Sequence, residues 1–278
     1  MDQAPALPAL SDVIAQFGLA AKKTLGQHFL LDPTLLAKVA RAAGDLAGYT
    51  VIEIGPGPGG LTRALLDTAA AQVIAIEKDT RCVAALGLLQ QAYPTRFTLI
   101  EGDGLAIPMN ELGTAPRSIV ANLPYNVGTA MILQWLALAA NSGHSQLEGF
   151  TVMLQKEVAE RLVAPPGSKA YGRISVLMAL LTDSALLFDV PPGAFRPPPK
   201  VMSSVVRARF LAAPRYAVTI PQLEKITAAA FNQRRKMLRQ SLKALGGETL
   251  CRKAGIDPTH RPEQCTLEDF VALANALD

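Results

Sequence analysis

The sequence predicts an α/β fold: an open, mainly parallel sheet wrapped by helices, followed by a smaller all-helical C-terminal part. Three observations predict it. From Thr50 to about Phe210, β-branched runs of strand length alternate with amphipathic runs of helical length. The first of those strands opens into a glycine-rich turn, Gly55-Pro56-Gly57-Pro58-Gly59-Gly60, directly ahead of a helix. Beyond about Leu211 short helical patches separated by loops take over. The expected domains are therefore residues 1–210, with 1–20 as an N-terminal arm, and residues 211–278.

Composition narrows the function classes. The chain has 278 residues, half of them apolar, which is enough for one large domain with a real core and a small one beside it. The apolar runs are too short or too charged for a membrane span. Cys82, Cys251 and Cys265 are scattered, which suggests reduced thiols and a cytoplasmic protein. His28, His144 and His260 lie far apart, so no metal site is expected. A net charge of +4 permits a nucleic-acid partner without requiring one. Nothing resembles a coiled-coil seam, and a monomer is expected.

The elements follow in order. Ser11-Asp12 can cap a short helix through Phe17. Lys22 and Lys23, placed to meet phosphate or simply solvated, precede a Gly26-Gln27-His28-Phe29 loop. Asp32 as N-cap and Pro33 as first residue then open a helix to about Ala43, with Leu35, Leu36 and Val39 on one face. Thr50–Ile54 is a buried strand, and the helix after its glycine turn presents Leu61, Leu65 and Leu66. Ala71–Glu77 and Phe97–Ile100 are the next strands, with a helix over Thr80–Gln91 between them. Ile119-Val120 mark a fourth strand, Gly128–Ala140 a helix and Gly149–Leu154 a fifth strand. Another helix begins at Gln155. Ala185–Val190 and Ser203–Phe210 are further strands, separated by a proline-locked loop, Phe195–Val201.

The chemistry collects at the strand ends, the edge where open α/β sheets bind ligands. Pro56 and Pro58 remove two N–H donors from the glycine turn, and no Lys-Ser/Thr follows it. That counts against a pyrophosphate cradle and suits a ligand without phosphates. Glu77, about 20 residues past the glycines, can accept both hydroxyls of a ribose. Asp103, between Gly102 and Gly104, can take a hydrogen bond from an adenine amine; a plain Asp-Gly turn is the alternative. At the fourth strand end stands Asn122-Leu123-Pro124-Tyr125. Pro124 forces an extended exit. An amide oxygen, a backbone carbonyl and an aromatic ring then stand side by side. That set suits a planar base with an exocyclic amine: the Asn122 oxygen and the Pro124 carbonyl each accept one N–H, and Tyr125 stacks on the ring. A mere strand-exit turn is the alternative. Phe195 is a second aromatic, able to sandwich a base opposite Tyr125 or to pack in the core, and Lys200 beside it would meet a phosphate.

In the C-terminal part, helices are expected over Pro221–Asn232, Lys236–Leu245 and Thr266–Leu277, the last capped by Thr266 with Glu268-Asp269. Arg234, Arg235, Lys236, Arg239 and Lys243 put five cations in ten residues. Arg235, Arg239 and Lys243 recur every fourth residue, a stripe suited to phosphates.

Six motifs in order carry a resemblance over roughly residues 22–270. They are Lys23–Leu30, Glu53–Gly57, Asn122–Asn126, Gln155–Arg161, Phe195-x-Pro-x-Pro-Lys-Val201 and Phe231-x-x-Arg-Arg-Lys236. The strand-end order resembles class I (Rossmann-like) S-adenosylmethionine-dependent methyltransferases. The full set resembles the ribosomal RNA adenine N6-dimethyltransferases of the small subunit, the KsgA/RsmA family. The resemblance implies dimethylation of two adjacent adenosines near the 3′ end of 16S rRNA, in an immature small subunit, with S-adenosyl-L-methionine as cofactor. It implies a cofactor-binding set of Gln27, His28, Leu30, Gly55, Gly57, Glu77, Lys78, Asp103, Gly104 and Asn122. The implied set around the target adenine is Asn122, Leu123, Pro124, Tyr125 and Phe195. Implied RNA contacts are Lys22, Lys23, Lys200, Arg234, Arg235, Lys236, Arg239 and Lys243. Two departures stand out: His28 occupies a position that is commonly Asn in relatives, and Met202-Ser203 replaces a frequent Asp-Ser. Competing readings are a 23S rRNA adenine methyltransferase, a DNA adenine methyltransferase, and an assembly factor that docks on RNA without catalysis.

Overall fold

A computed structural model gives the structure of residues 7–19, 21, 27–125, 127–142 and 147–277. The chain forms two compact units. The first holds residues up to Ala159 together with Ala185–Phe210, and the second holds Glu160–Ser184 and Leu211 onward. The sequence reading kept all of 1–210 together, whereas Glu160–Ser184 groups with the C-terminal helices.

In the first unit the elements run α1 (Leu10–Gln16), β1 (Phe29–Leu30), α2 (Pro33–Ala42), β2 (Thr50–Ile54), α3 (Gly60–Leu66), β3 (Gln72–Glu77), α4 (Thr80–Ala92), β4 (Phe97–Glu101), β5 (Arg117–Asn122), α5 (Gly128–Ser142) and β6 (Gly149–Gln155). Then come the start of α6 (Lys156–Leu162), and, after the chain returns from the second unit, β7 (Thr182–Val190), β8 (Phe195–Arg196) and β9 (Ser203–Phe210). The main sheet has the order β4-β3-β2-β5-β6-β9-β7. Strands β4, β3, β2, β5 and β6 are parallel, and β9 is antiparallel to β6.

The β-branched content explains the sheet. Every residue of β2 is buried, and Ile119, Val120 and Ala121 of β5 are fully so. A parallel strand covered by helices on both faces needs that near-continuous apolar run. Glu53, at 1% exposure, is the one charged residue within β2. Successive strands β2 and β3 lie on one side, while β5 pairs with the other edge of β2, so the strand order reverses there. That reversal opens a crevice at the carboxyl ends. The register levels those ends: Ile54 pairs with Ile76, Glu77 with Glu101, and Asn122 with Met153.

Local chemistry fixes the entries. Asp32 Oδ1 accepts from Thr34 N at 2.8 Å and Leu35 N at 3.1 Å, with Pro33 opening α2, as its sequence predicts. The turn after β2 needs left-handed backbone at Gly55 (φ 68°) and Gly57 (φ 57°). A Cβ on Gly57 would also sit 3.0 Å from the Phe29 ring. Two expectations are corrected. The first helix starts at Leu10, and Ala9 precedes it without a side-chain cap, so Ser11 and Asp12 lie inside it. Phe29 and Phe195, expected in loops, form a two-residue antiparallel pair, Phe29 with Arg196 and Leu30 with Phe195.

The second unit contains the end of α6, α7 (Arg173–Leu181), α8 (Ile220–Asn232), α9 (Leu238–Ser241), α10 (Gly247–Lys253) and α11 (Leu267–Asn275). Helix α7 is buried nearly all round and packs on α8 and α11, which is why its segment belongs here. Tyr171, Phe231 and Phe270 form an aromatic chain at its core, with centroids 5.9 and 5.5 Å apart. Thr266 and Asp269 cap α11 reciprocally, as expected. The single helix expected over Lys236–Leu245 is not formed. Met237 is extended, α9 is four residues long, and Leu238 N and Arg239 N donate to His260 O and Pro258 O of a neighbouring loop. Gly246 and Gly247, both at positive φ, turn the chain again.

Candidate active site

One cavity of about 270 Å³ opens at the carboxyl edge of the sheet in the first unit. Gln27, His28, Leu30, Gly55, Gly57, Glu77, Lys78, Asp103, Gly104, Asn122, Leu123, Pro124 and Tyr125 all line it. Strand ends brought level by register place them there. Lys22 and Lys23 lie outside the described residues.

Glu77 organises the cavity's middle. Its Oε1 accepts from Lys78 N and Asp79 N at 2.8 and 2.7 Å, and its Oε2 accepts from Gly57 N at 2.9 Å. The carboxylate therefore ties the end of β3 to the glycine turn after β2. Burial pushes its pKa up, and the three backbone donors pull it back. Oε1, with two donors, is fully engaged, while Oε2 keeps a lone pair for a ligand hydroxyl. Asp103 is ion-paired with Lys78 at 2.8 Å, which holds its carboxyl low, and its other oxygen accepts from Leu105 N. Gln27 donates to Asp79 Oδ2 at 3.2 Å, tying the segment before β1 to the end of β3. Gly104 forms a flat wall: a Cβ there would meet Ile54 at 2.7 Å.

Glu53 is the residue that motif reading passed over as a role of its own. It lines the cavity, is buried, and its Oε2 has no hydrogen-bond partner among the described residues. Burial pushes its pKa up to about 8; the Thr62 hydroxyl is near enough to moderate this, though no bond of normal geometry joins them. A lone acid inside the apolar strand Thr50–Ile54 was the available signal. An unpartnered buried carboxyl oxygen beside a cavity fits a ligand that brings a cationic donor.

At the end of β5, Asn122 Nδ2 lies 3.4 Å from His28 O, so its NH₂ end is committed to the protein and Oδ1 is left as an acceptor. Pro124 O accepts from both Val127 N and Gly128 N at 3.2 Å. Both its lone pairs are thus engaged, and the expected role of this carbonyl toward a substrate amine is corrected; the Leu123 carbonyl is one residue nearer Asn122. Tyr125 is half-buried, and its hydroxyl is hydrogen bonded to Ser203 Oγ at 2.6 Å.

Phe195 does not face Tyr125. It is fully buried, packed in the core with Leu30, Val190 and Val205. Pairing Leu30 with Phe195 turns that ring inward and leaves Arg196 exposed. The imidazole of His28 stacks on Tyr125 instead, with centroids 5.6 Å apart and planes 29° from parallel.

Lys200 is exposed on the proline-rich loop of the first unit. In the second unit Arg235, Lys236, Arg239 and Lys243 are exposed. Arg234 is half-buried, donates to Ser168 O at 3.1 Å and sits 3.7 Å from Glu263. Its guanidinium therefore braces the unit. The expected stripe of Arg235, Arg239 and Lys243 on one helix is corrected: Arg235 precedes α9 and Lys243 follows it, so the cations project from turns and a short helix.

Comparison with known proteins gives the same direction. A family model described as ribosomal RNA adenine dimethylase matches residues 18–278. A protein of Mesorhizobium japonicum named ribosomal RNA small subunit methyltransferase A is 52% identical over 277 residues, covering 98% of each chain. One of the same name from Rhodospirillum rubrum is 53% identical, covering 98% of this chain and 93% of its own. Among solved structures, a dimethyladenosine transferase from Plasmodium falciparum has the same fold, with TM-score 0.72 at 23% identity, covering 88% of this chain and 96% of that one. The 23S rRNA methyltransferase ErmE reaches TM-score 0.68 at 25% identity, covering 90% and 99%. With its strand-end acids, its Asn-Leu-Pro-Tyr exit and a match along nearly its whole length, the chain belongs to the ribosomal RNA adenine dimethylase family.

Proposed function

We propose that this chain transfers methyl groups from S-adenosyl-L-methionine to N6 of two adjacent adenosines near the 3′ end of 16S rRNA, acting as a cytoplasmic monomer on an immature small ribosomal subunit. The observation that carries it is the convergence of Glu77, Asp103, Asn122 and Tyr125 on one cavity. The small-subunit target is supported by relatives at 52–53% identity, against 25% for ErmE.

The residues present fit the cofactor. Glu77 Oε2 has a free lone pair for a ribose hydroxyl. Asp103 accepts an adenine amine once Lys78 shares or releases it. Glu53 offers its unpartnered oxygen to the methionyl ammonium, and the Gly104 wall admits a flat ring. When bound, the sulfonium supplies an electrophilic methyl group, so the protein needs no strong base to start the transfer.

What remains is orientation. The amine of adenine is a poor nucleophile because its lone pair is delocalised into the ring. Asn122 Oδ1 accepts one N–H and, with Pro124 O engaged, the Leu123 carbonyl accepts the other. Together they favour the pyramidal amine of the transition state and aim it. Tyr125 stacks on a base that has left its helix, which favours an adenine presented singly. The proton passes to water after attack, when the nitrogen has become acidic. Lys200, Arg235, Lys236, Arg239 and Lys243 are the exposed cations that meet RNA phosphates.

The test is incubation with labelled S-adenosylmethionine and undermethylated small subunits, with large subunits in parallel, followed by digestion to nucleosides. Label in N6,N6-dimethyladenosine from small subunits is expected. Label confined to large subunits, or cofactor and subunit binding without transfer, would overturn the reading.

A further inference from the structure

We infer that His28 and Ser203 are positioning residues for the target base, which together fix the ring plane of Tyr125. The inference deepens the function proposed above and rests on it.

The ring of Tyr125 is held at two places. At its far end, Ser203, fully buried at the start of β9, is bonded to the phenol oxygen at 2.6 Å. A single bond at the tip still lets the ring rotate about its long axis. The second hold stops that rotation: the His28 imidazole lies along one face, 29° from parallel. The imidazole is itself pinned. Its Nδ1 is 2.8 Å from Pro197 O, and a carbonyl can only accept, so Nδ1 carries the hydrogen. Pro197 sits next to Arg196, whose strand pairs with Phe29, the neighbour of His28. The His28 carbonyl also receives Asn122 Nδ2. One residue thus touches the ring that stacks on the base, the amide that orients its amine, and the loop alongside.

With one face of Tyr125 covered by imidazole, the base takes the other, giving a stack of imidazole, phenol and adenine. The partner that sequence reasoning gave to Phe195 is thereby supplied from the opposite side. An Asn at position 28 has no ring to extend the stack, so the His matters for this chain specifically.

The experiment compares the full-length wild type with His28→Asn, His28→Phe, Ser203→Ala and Ser203→Thr. Cofactor affinity is read by calorimetry, and single-turnover transfer to undermethylated small subunits is read against subunit concentration. Ser203→Ala should leave cofactor Kd within about twofold and lower the transfer efficiency for subunits about tenfold, and His28→Asn should lower that efficiency to the same degree with cofactor saturating. His28→Phe keeps a stacking ring and Ser203→Thr keeps a hydroxyl, so both should restore most of that loss. A readout independent of transfer uses the three histidines of the chain. In nitrogen-15 spectra His28 should be the Nδ1–H tautomer, and Ser203→Ala should shift its ring signals and leave those of His260, in the second unit, unmoved. Tenfold weaker cofactor binding in His28→Asn with unchanged subunit dependence would overturn the proposal in favour of a cofactor ligand. So would His28→Phe behaving like His28→Asn, or His28 signals indifferent to Ser203. Failure of the wild type to methylate small subunits would instead strike the underlying function, with the spectra still judging the geometry.

Discussion

Replacing Glu77 by Gln removes one oxygen acceptor and nothing of the side chain's size. One end of the amide still accepts from Lys78 N and Asp79 N; the other now turns an NH₂ toward Gly57 N, which lies 2.9 Å from the present Oε2. A buried N–H facing a donor costs about 1–3 kcal/mol, and two bonds to a charged acceptor become bonds to a neutral one, roughly 1 kcal/mol each. Burial already disfavours the charge, as its raised pKa shows, so relief of that desolvation offsets part of the loss. The net is about 2 kcal/mol, or a fall in Tm of about 4–8 °C for a domain of this size. Trp135 is the single tryptophan of the chain, buried against Phe150 in the sheet-bearing unit, so its fluorescence reports that unit's melting alone. The same change removes one ribose acceptor, and a charged hydrogen bond of about 1.5–3 kcal/mol corresponds to roughly 10- to 100-fold in cofactor Kd. A Tm within 1 °C of wild type, at about the noise of such a melt, would refute the tie between β3 and the glycine turn. A lowered Tm with Kd changed less than about twofold would refute the ribose assignment.

Two further perturbations follow from the same structure. Glu53, pushed up to about 8 in the folded state from 4.5, holds its proton more tightly when folded, so its contribution to stability is greatest below pH 4.5 and declines as pH rises to about 8. Glu53→Gln should therefore gain stability relative to wild type across that window in urea titrations at several pH values; a difference independent of pH would contradict a buried protonated carboxyl. Neutralising Arg235 and Arg239 together should weaken RNA binding and lower the slope of log K against log salt by about two. An unchanged slope would mean these exposed cations are solvated surface only.

The strand ends were legible because each is announced by chemistry that a plain strand does not need: glycines at positive φ, an acid at the end of an apolar run, an Asn ahead of a Pro. Parallel pairing then levels Gly55, Glu77, Asp103 and Asn122 without further information. What escaped was set by long-range partners. The two-residue pair of Phe29–Leu30 with Phe195–Arg196 is too short to leave a period in the sequence, yet it decides that Phe195 is core. Glu160–Ser184 reads as a continuation of the sheet domain until α7 is seen packed on α8 and α11. The stretch Lys236–Leu245 has helical spacing, but loop carbonyls of His260 and Pro258 take its first donors and the glycines at 246 and 247 break it. Arg234 looks like the rest of its basic run until Glu263 and Ser168 are placed beside it. Glu53 is a single acid inside an apolar strand and belongs to no spacing pattern of its own.

The most direct test of the account is single-turnover methyl transfer by Asn122→Ala on undermethylated small subunits, with cofactor and subunit affinities measured on the same preparation. The structure commits the amide's NH₂ to His28 O and leaves its oxygen for the amine of the target. Loss of one such transition-state acceptor predicts a rate at saturating cofactor lowered by about a hundredfold or more, with subunit affinity nearly intact. A rate within a few-fold of wild type would contradict the claim that this strand end is where adenine is aimed at its methyl donor.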